Sequence, residues 1–384
     1  MDDLQQIAQQ RALTRREFLR SAVVAGTGSR VFGFAALRAA AVPRKQKTVV
    51  VTFGGGARDE ETFAPEGQEN IPHLLNELIP QSTFFTQVVN RGILGHYVAT
   101  ASLATGVYER FDNFADVAPE NPTIFEYFRK GLGRPANDTW VIAPSNGFNR
   151  IGQSAGGHFA AGFGAQVVLP KHLLAAALGK TLSNTNGLEF LLQDNYEDML
   201  FTPPAVHSEM QLSILSEMLN LSVDDFAHHA KTLSSADELS VYVMRQLMRQ
   251  FAPSLLWITL HDMDVAHTGA YSLYLEGIRR TDRLCAEIWQ MIESDPEYKG
   301  RTTMLILPDF GRDSDFNASG NGFQHHRTGD PLSRTTWMMA LGPQIRGNRT
   351  VDRALDSVDI VPTLGALMNF ATPLAKGRPV VEVL

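Results

Sequence analysis

At 384 residues, with 44% hydrophobic and 20% charged side chains, the chain can bury a sizeable core as one large domain or two smaller ones, which excludes a minimal binding module and a disordered polymer. Lys+Arg number 34 against 41 Asp+Glu, a net charge of -7, and no Lys/Arg run builds a surface for nucleic acid. A single cysteine, Cys285, excludes an intramolecular disulfide and a cysteine metal cage.

The first 41 residues have a charge balance of their own, with arginines at 11, 15, 16, 20, 30 and 38 against Asp2, Asp3 and Glu17. Arg15-Arg16 stands just before a Gly/Ala-rich run, Ser21 to Ala36, that closes on Ala39-Ala40-Ala41. This pattern predicts a twin-arginine signal peptide over 1–41, with Val42 as the mature start; a basic amphipathic helix that stays on the chain is the alternative. Arg30 interrupts the run, which is too short for a membrane-spanning helix of about 20 residues. The expected partner is the twin-arginine export machinery, which carries folded proteins, and the expected location is periplasmic or extracellular, with no transmembrane anchor in the mature chain.

Lys47 to Phe53 is a short β-branched run ended by Gly54-Gly55-Gly56 and reads as a buried strand breaking into a loop. Similar strands are expected at Thr139 to Ala143, Gln166 to Leu169, Ser254 to Leu260, Thr303 to Leu307 and Thr336 to Leu341. After the strand Ser254 to Leu260, Tyr274, Ile278, Thr281, Cys285, Ile288 and Ile292 recur at helical spacing, as in a helix packed on a sheet. Alternation of strand and helix predicts an α/β fold, with a mostly parallel central sheet flanked by helices, in one domain over 42–384. Residues from about 172 to 250 lack a convincing strand and read as a helical insertion.

In such sheets ligands bind beyond the carboxyl ends of the strands, so the polar residues there are the candidates for chemistry. His261-Asp262-Met263-Asp264 and His267 follow one strand; Asp309-Phe310-Gly311-Arg312 follows the next, ahead of His325-His326. Carboxylates and imidazoles in this density could hold one cation, although Asp264 or Thr268 could equally cap the following helix. Arg58 and Arg312 could present a fork to phosphate or sulfate oxygens, or pair with Asp59, Glu60 or Asp313. His96 and Thr100 share one face of the helix expected after Gly95.

Leu103 to Tyr108, Asp264 to Gly269, Asp356 to Leu364 and Gly377-Arg378-Pro379 follow one another in an order that, from about Lys47 to the C-terminus, resembles the alkaline phosphatase superfamily, which includes sulfatases, nucleotide phosphodiesterases and cofactor-independent phosphoglycerate mutases. Asp356-Ser357-Val358-Asp359-Ile360-Val361-Pro362-Thr363-Leu364, followed by Gly377-Arg378-Pro379, is similar to the closing segment of sulfatases. Asp264 to Gly269 resembles a metal-ligand loop of mutases and phosphodiesterases, and Leu103 to Tyr108 the turn downstream of the family nucleophile. Phe310-Gly311-Arg312 through Asn317, Ser319-Gly320 and His325-His326 resembles a twin-arginine-exported bacterial branch.

The departures from that pattern are specific. Gly54-Gly55-Gly56 replaces an Asp-Gly pair whose Asp binds a metal, His96 stands where the nucleophilic hydroxyl is expected, and Phe310 replaces a histidine. Asp59, Glu60 or Glu61 could restore the lost carboxylate if their loop folds back. The resemblance then implies a hydrolase of small anionic phosphate or sulfate esters with one divalent metal, most simply zinc. Its ligands are expected among Asp262, Asp264, His267, Asp309, His325 and His326, with His96 or Thr100 catalytic and Arg58 and Arg312 on the substrate. A non-catalytic binding or assembly protein stabilised by the same metal is the alternative.

Overall fold

Seven consecutive buried side chains, Lys47–Phe53 (β1), can be accommodated only in the middle of a sheet covered on both faces. In the computed structural model, which describes residues 46–384 apart from 116, 157–161, 182–186, 194–204 and 317–319, that is where they lie. Arg15, Arg16 and the alanines before Val42, like Asn317 and Ser319, lie outside the described residues. The remaining strands are Thr83–Val89 (β2), Thr139–Ile142 (β3), Gln166–Val168 (β4), Leu255–Leu260 (β5), Thr302–Pro308 (β6), Thr335–Leu341 (β7), Arg349–Val351 (β8) and Leu355–Asp356 (β9). They form one sheet in the order β4-β3-β5-β1-β6-β7-β2-β8, with β9 beside β2. Only β7 runs against its neighbours. The architecture is thus α/β with a mostly parallel sheet, and all six expected strands are present.

The period of two along each strand divides the core between the faces. Val49, Val51, Leu256, Ile258, Met304 and Ile306 point to one side, where they meet the helices Pro170–Thr181, Ala236–Phe251 and Tyr271–Ser294. Val50, Leu255, Trp257, Leu305 and Leu307 point to the other, against His96–Thr105, Ile124–Leu132 and Ile360–Met368. On the 24-residue helix Tyr271–Ser294, all six residues expected on the packed face are buried. Among the described residues between β4 and β5 there are helices and no strand. Leu173, Phe226, Leu239 and Met244 from these helices share the core beneath β1, so they form part of a sheet-covering layer.

Strand register positions the site. Phe53 lies opposite both Leu260 and Pro308, so Gly54, His261 and Asp309 leave the sheet at one level. Because β2 and β6 are both antiparallel to β7, β2 ends at the same edge and delivers the helix starting at His96 there. No helix among the described residues is long and apolar enough to cross a membrane.

Candidate metal centre

The turn after β5 is a 3-10 helix, Asp262–Thr268, and its three-residue period sets which side chains share a direction. His261, Asp264 and His267 are spaced by three and stack on one side: Asp264 Oδ2 lies 3.5 Å from His261 Nε2, and Oδ1 lies 3.2 Å from His267 Nε2. Asp262 falls on another side. Its carboxylate pairs with Arg280 at 3.0 Å and lines a neighbouring cavity of about 320 Å³ with Asp237, Lys171 and His261, so it does not join Asp264 as the sequence suggested.

Asp264 is fully buried and acts as the hub of the site. Its Oδ1 also accepts a hydrogen bond from Arg312 Nη2 at 3.0 Å and faces His96 Nε2 at 3.2 Å. Burial alone would raise its pKa, but the His96 charge and hydrogen bonds from His261, His267 and His96 hold it well below the usual carboxylate range.

His96 opens its helix after Gly95 and is 1% exposed. Its Nδ1 lies 2.7 Å from Asp309 Oδ2, while Asp309 Oδ1 accepts the backbone N–H groups of Gly55 and Phe310. Asp309 therefore sits behind His96 and orients it, rather than facing the cluster directly. Burial disfavours an imidazolium, yet the charges of Asp264 and Asp309 outweigh it and raise the His96 pKa to about 10. Phe310 stacks on the ring, with centroids 4.8 Å apart at 20°.

The two late histidines diverge. Asp313, fully buried, accepts from the Arg327 backbone N–H and from Arg327 Nε and anchors this segment. His326 Nδ1 lies 3.2 Å from the Leu94 carbonyl, which can only accept, so Nδ1 carries the hydrogen and Nε2 offers its lone pair. That Nε2 is 2.8 Å from His267 Nε2. Burial and the His96 and Arg312 charges push the His326 pKa far down, keeping the ring neutral. His325 is left out of the cluster.

His96, Asp264, His267 and His326 thus bring three imidazole nitrogens and one carboxylate oxygen within 4.8 Å of one another. A tetrahedral ion with bonds of 2.0–2.1 Å separates its ligands by about 3.3 Å, close to the contacts above, and imidazole with carboxylate suits zinc better than calcium or magnesium. The residues therefore fit a zinc-like ion. Asp309 and the Leu94 carbonyl would serve as the outer partners that orient two of the histidines. His267, with 31% of its side chain exposed, is the open side.

The remaining candidates have other partners. Arg58 is buried and grips Glu61 through Nε and Nη2 and Asp315 through Nη1; Glu61 is thereby kept from the cluster. Asp59 and Glu60 do not join the cluster either. Arg312 is 1% exposed, and its guanidinium is spent on Asp264 and backbone carbonyls, so neither arginine presents a fork at the surface. The Thr100 hydroxyl is fully buried one turn along from His96, with no hydrogen-bond partner. The sequence placed His261 in this strand-end cluster without assigning it as a ligand, and the Leu94 carbonyl was not anticipated at all. His261 had a signal in its spacing of three from Asp264; the carbonyl had none.

No family model and no curated protein matches the chain. Solved structures do. Lipoteichoic acid synthase LtaP from Listeria monocytogenes matches at a TM-score of 0.53 and 10% identity, covering 88% of this chain and 75% of that one. Wild-type alkaline phosphatase PafA matches at 0.53 and 10%, covering 89% and 99%. Phosphonate monoester hydrolase of Agrobacterium radiobacter matches at 0.52 and 13%, covering 88% and 77%. At such identities it is the fold alone that is shared: this chain has an alkaline phosphatase-like fold.

Proposed function

We propose that the chain is a hydrolase of phosphate or sulfate esters that works with a single zinc ion and no covalent nucleophile. The observation that carries this reading is the convergence of His96, Asp264, His267 and His326, open on the His267 side, where the parallel strands end. Proteins that share this fold include an alkaline phosphatase and a phosphonate monoester hydrolase, which supports the reaction class. When bound, the cation would supply Lewis acidity and an acidified water. The protein's part is positional: Asp309 and Phe310 fix the His96 ring, the Leu94 carbonyl sets the His326 tautomer, and Asp264 supplies the fixed negative charge.

Metal content and turnover test this together. One zinc per chain with hydrolysis of an aryl phosphate or aryl sulfate is expected, and His267→Ala should lose both while remaining folded, because His267 is the most exposed member. Retention of one zinc in that variant would refute the ligand set. The second reading, a metal-stabilised binding or assembly protein, is favoured by the buried Thr100 hydroxyl and by a His96 ring engaged by two carboxylates. Zinc without turnover of any ester would select it.

The same proposal places the mature protein beyond the inner membrane, on the strength of Arg15-Arg16 and the run that follows. Replacing both arginines with lysine should leave precursor in the cytoplasm, and unchanged export would refute the assignment.

A further inference from the structure

We infer that the guanidinium of Arg312 is a resident cation of the site, seated where a second ion would otherwise be drawn, so that the cluster takes only one. The inference rests on the metal reading above and adds to it a positioning residue that limits both the number and the affinity of bound ions.

Arg312 leaves the end of β6 and turns inward, where four oxygens receive it. Nε donates to the Gly56 carbonyl at 2.7 Å, Nη1 to the Phe323 carbonyl at 3.1 Å, and Nη2 to Asp264 Oδ1 at 3.0 Å and the Met263 carbonyl at 3.4 Å. Three carbonyls and a carboxylate form the all-oxygen surround that hard cations take from proteins. Here an always-charged side chain with five donors fills it. The Tyr274 ring lies 5.4 Å from the guanidinium carbon and adds an attractive face.

Position 55 makes room for this arrangement. Gly55 adopts φ +89°, and a Cβ there would stand 2.7 Å from Arg312 Nη2 and 3.0 Å from Asp264 Oδ1. A side chain at 55 would therefore contest the guanidinium's place, and the glycine and the arginine are matched. The oxygen that Arg312 holds is also the one that faces His96 and His267. An ion bound by the cluster must share Oδ1 with the guanidinium, and the two positive charges repel across a buried contact. Arg312 thus weakens the ion whose ligand it orients, an effect opposite in sign to that of a purely structural arginine.

The test is zinc titration against a chromophoric chelator, with metal counted per chain, on wild type and Arg312→Gln. Glutamine keeps a donor and part of the volume but removes the charge. The variant is expected to bind zinc about tenfold more tightly or better, while its zinc-free form melts at a lower temperature. Zinc binding that is weaker or unchanged would overturn the inference. Should Arg312→Gln not fold, wild type decides: saturation at one ion in excess zinc, calcium or magnesium supports the inference, and a second bound ion overturns it. A wild type that binds no zinc refutes the metal reading, and the inference then survives only if Arg312→Gln acquires an ion; if neither binds, both fall.

Discussion

Asp264→Ala is expected to abolish zinc binding and to destabilise the metal-free protein by about 3–5 kcal/mol, the range found when one partner of a buried charged group is removed. The effect is large because Asp264 neutralises more than one neighbour. Its Oδ1 serves the buried Arg312 guanidinium and faces His96, whose raised pKa depends on it. Alanine leaves both cations in the interior with less compensation. Asp264→Asn keeps an acceptor of the same shape and should cost less stability while still losing the ion, and His267→Ala should lose the ion with a smaller penalty still. Urea unfolding of the chelated proteins, alongside metal analysis, reads this order. If Asp264→Ala unfolds like His267→Ala, Asp264 is not the electrostatic centre of the site.

The second large effect is on pH dependence. In the chelated protein His96 has a folded pKa of about 10 against an unfolded value near 6.5, because Asp264 and Asp309 stabilise its cation against the cost of burial. A group whose pKa is raised by folding contributes its stability fully below the unfolded value and loses it as pH climbs through the folded value. Stability conferred by His96 should therefore decline between about pH 6.5 and about pH 10, by on the order of 4 kcal/mol. Lys47 acts in the opposite sense, since burial and Arg301 lower its pKa to about 8, and it favours folding as pH rises above that. The informative quantity is thus the difference between wild type and His96→Gln, in which Lys47 cancels. A difference that stays level from pH 6.5 to 10 would mean that His96 is not held as an imidazolium. The same proton must leave for His96 Nε2 to ligate zinc, so uptake of the ion at pH 8 should release about one proton, measurable by calorimetry in buffers of different ionisation enthalpy.

Much of the fold was legible because its signals are local. The runs at β1, β3, β4, β5, β6 and β7 are bounded by breakers, and the buried stripe of the helix Tyr271–Ser294 repeats at helical spacing. The strand-end placement of Asp264, His267, Asp309, Arg312 and His326 followed from the same alternation. What was missed depends on distant pairing. Thr83–Val89 is a strand by virtue of β7, some 250 residues later, and β8 and β9 are short pieces placed by β2. An apolar run of that length is ambiguous until a partner is in place.

Within the site, sequence determined which chemical groups arrive at the sheet edge, and tertiary structure decided which atoms face one another. Asp262 and Asp264 are equivalent on paper, but the three-residue period of their turn aligns only Asp264 with His261 and His267, while Arg280, on the next helix, takes Asp262. His325 and His326 are likewise interchangeable as letters, and the Leu94 carbonyl, from before the helix of His96, turns the second toward the cluster. On sequence, Arg58 and Arg312 could each reach for an anion or pair with a neighbouring carboxylate. Glu61 claims the one, and Asp264 with three backbone carbonyls claims the other, because a buried guanidinium must satisfy its donors inside the protein before any ligand arrives.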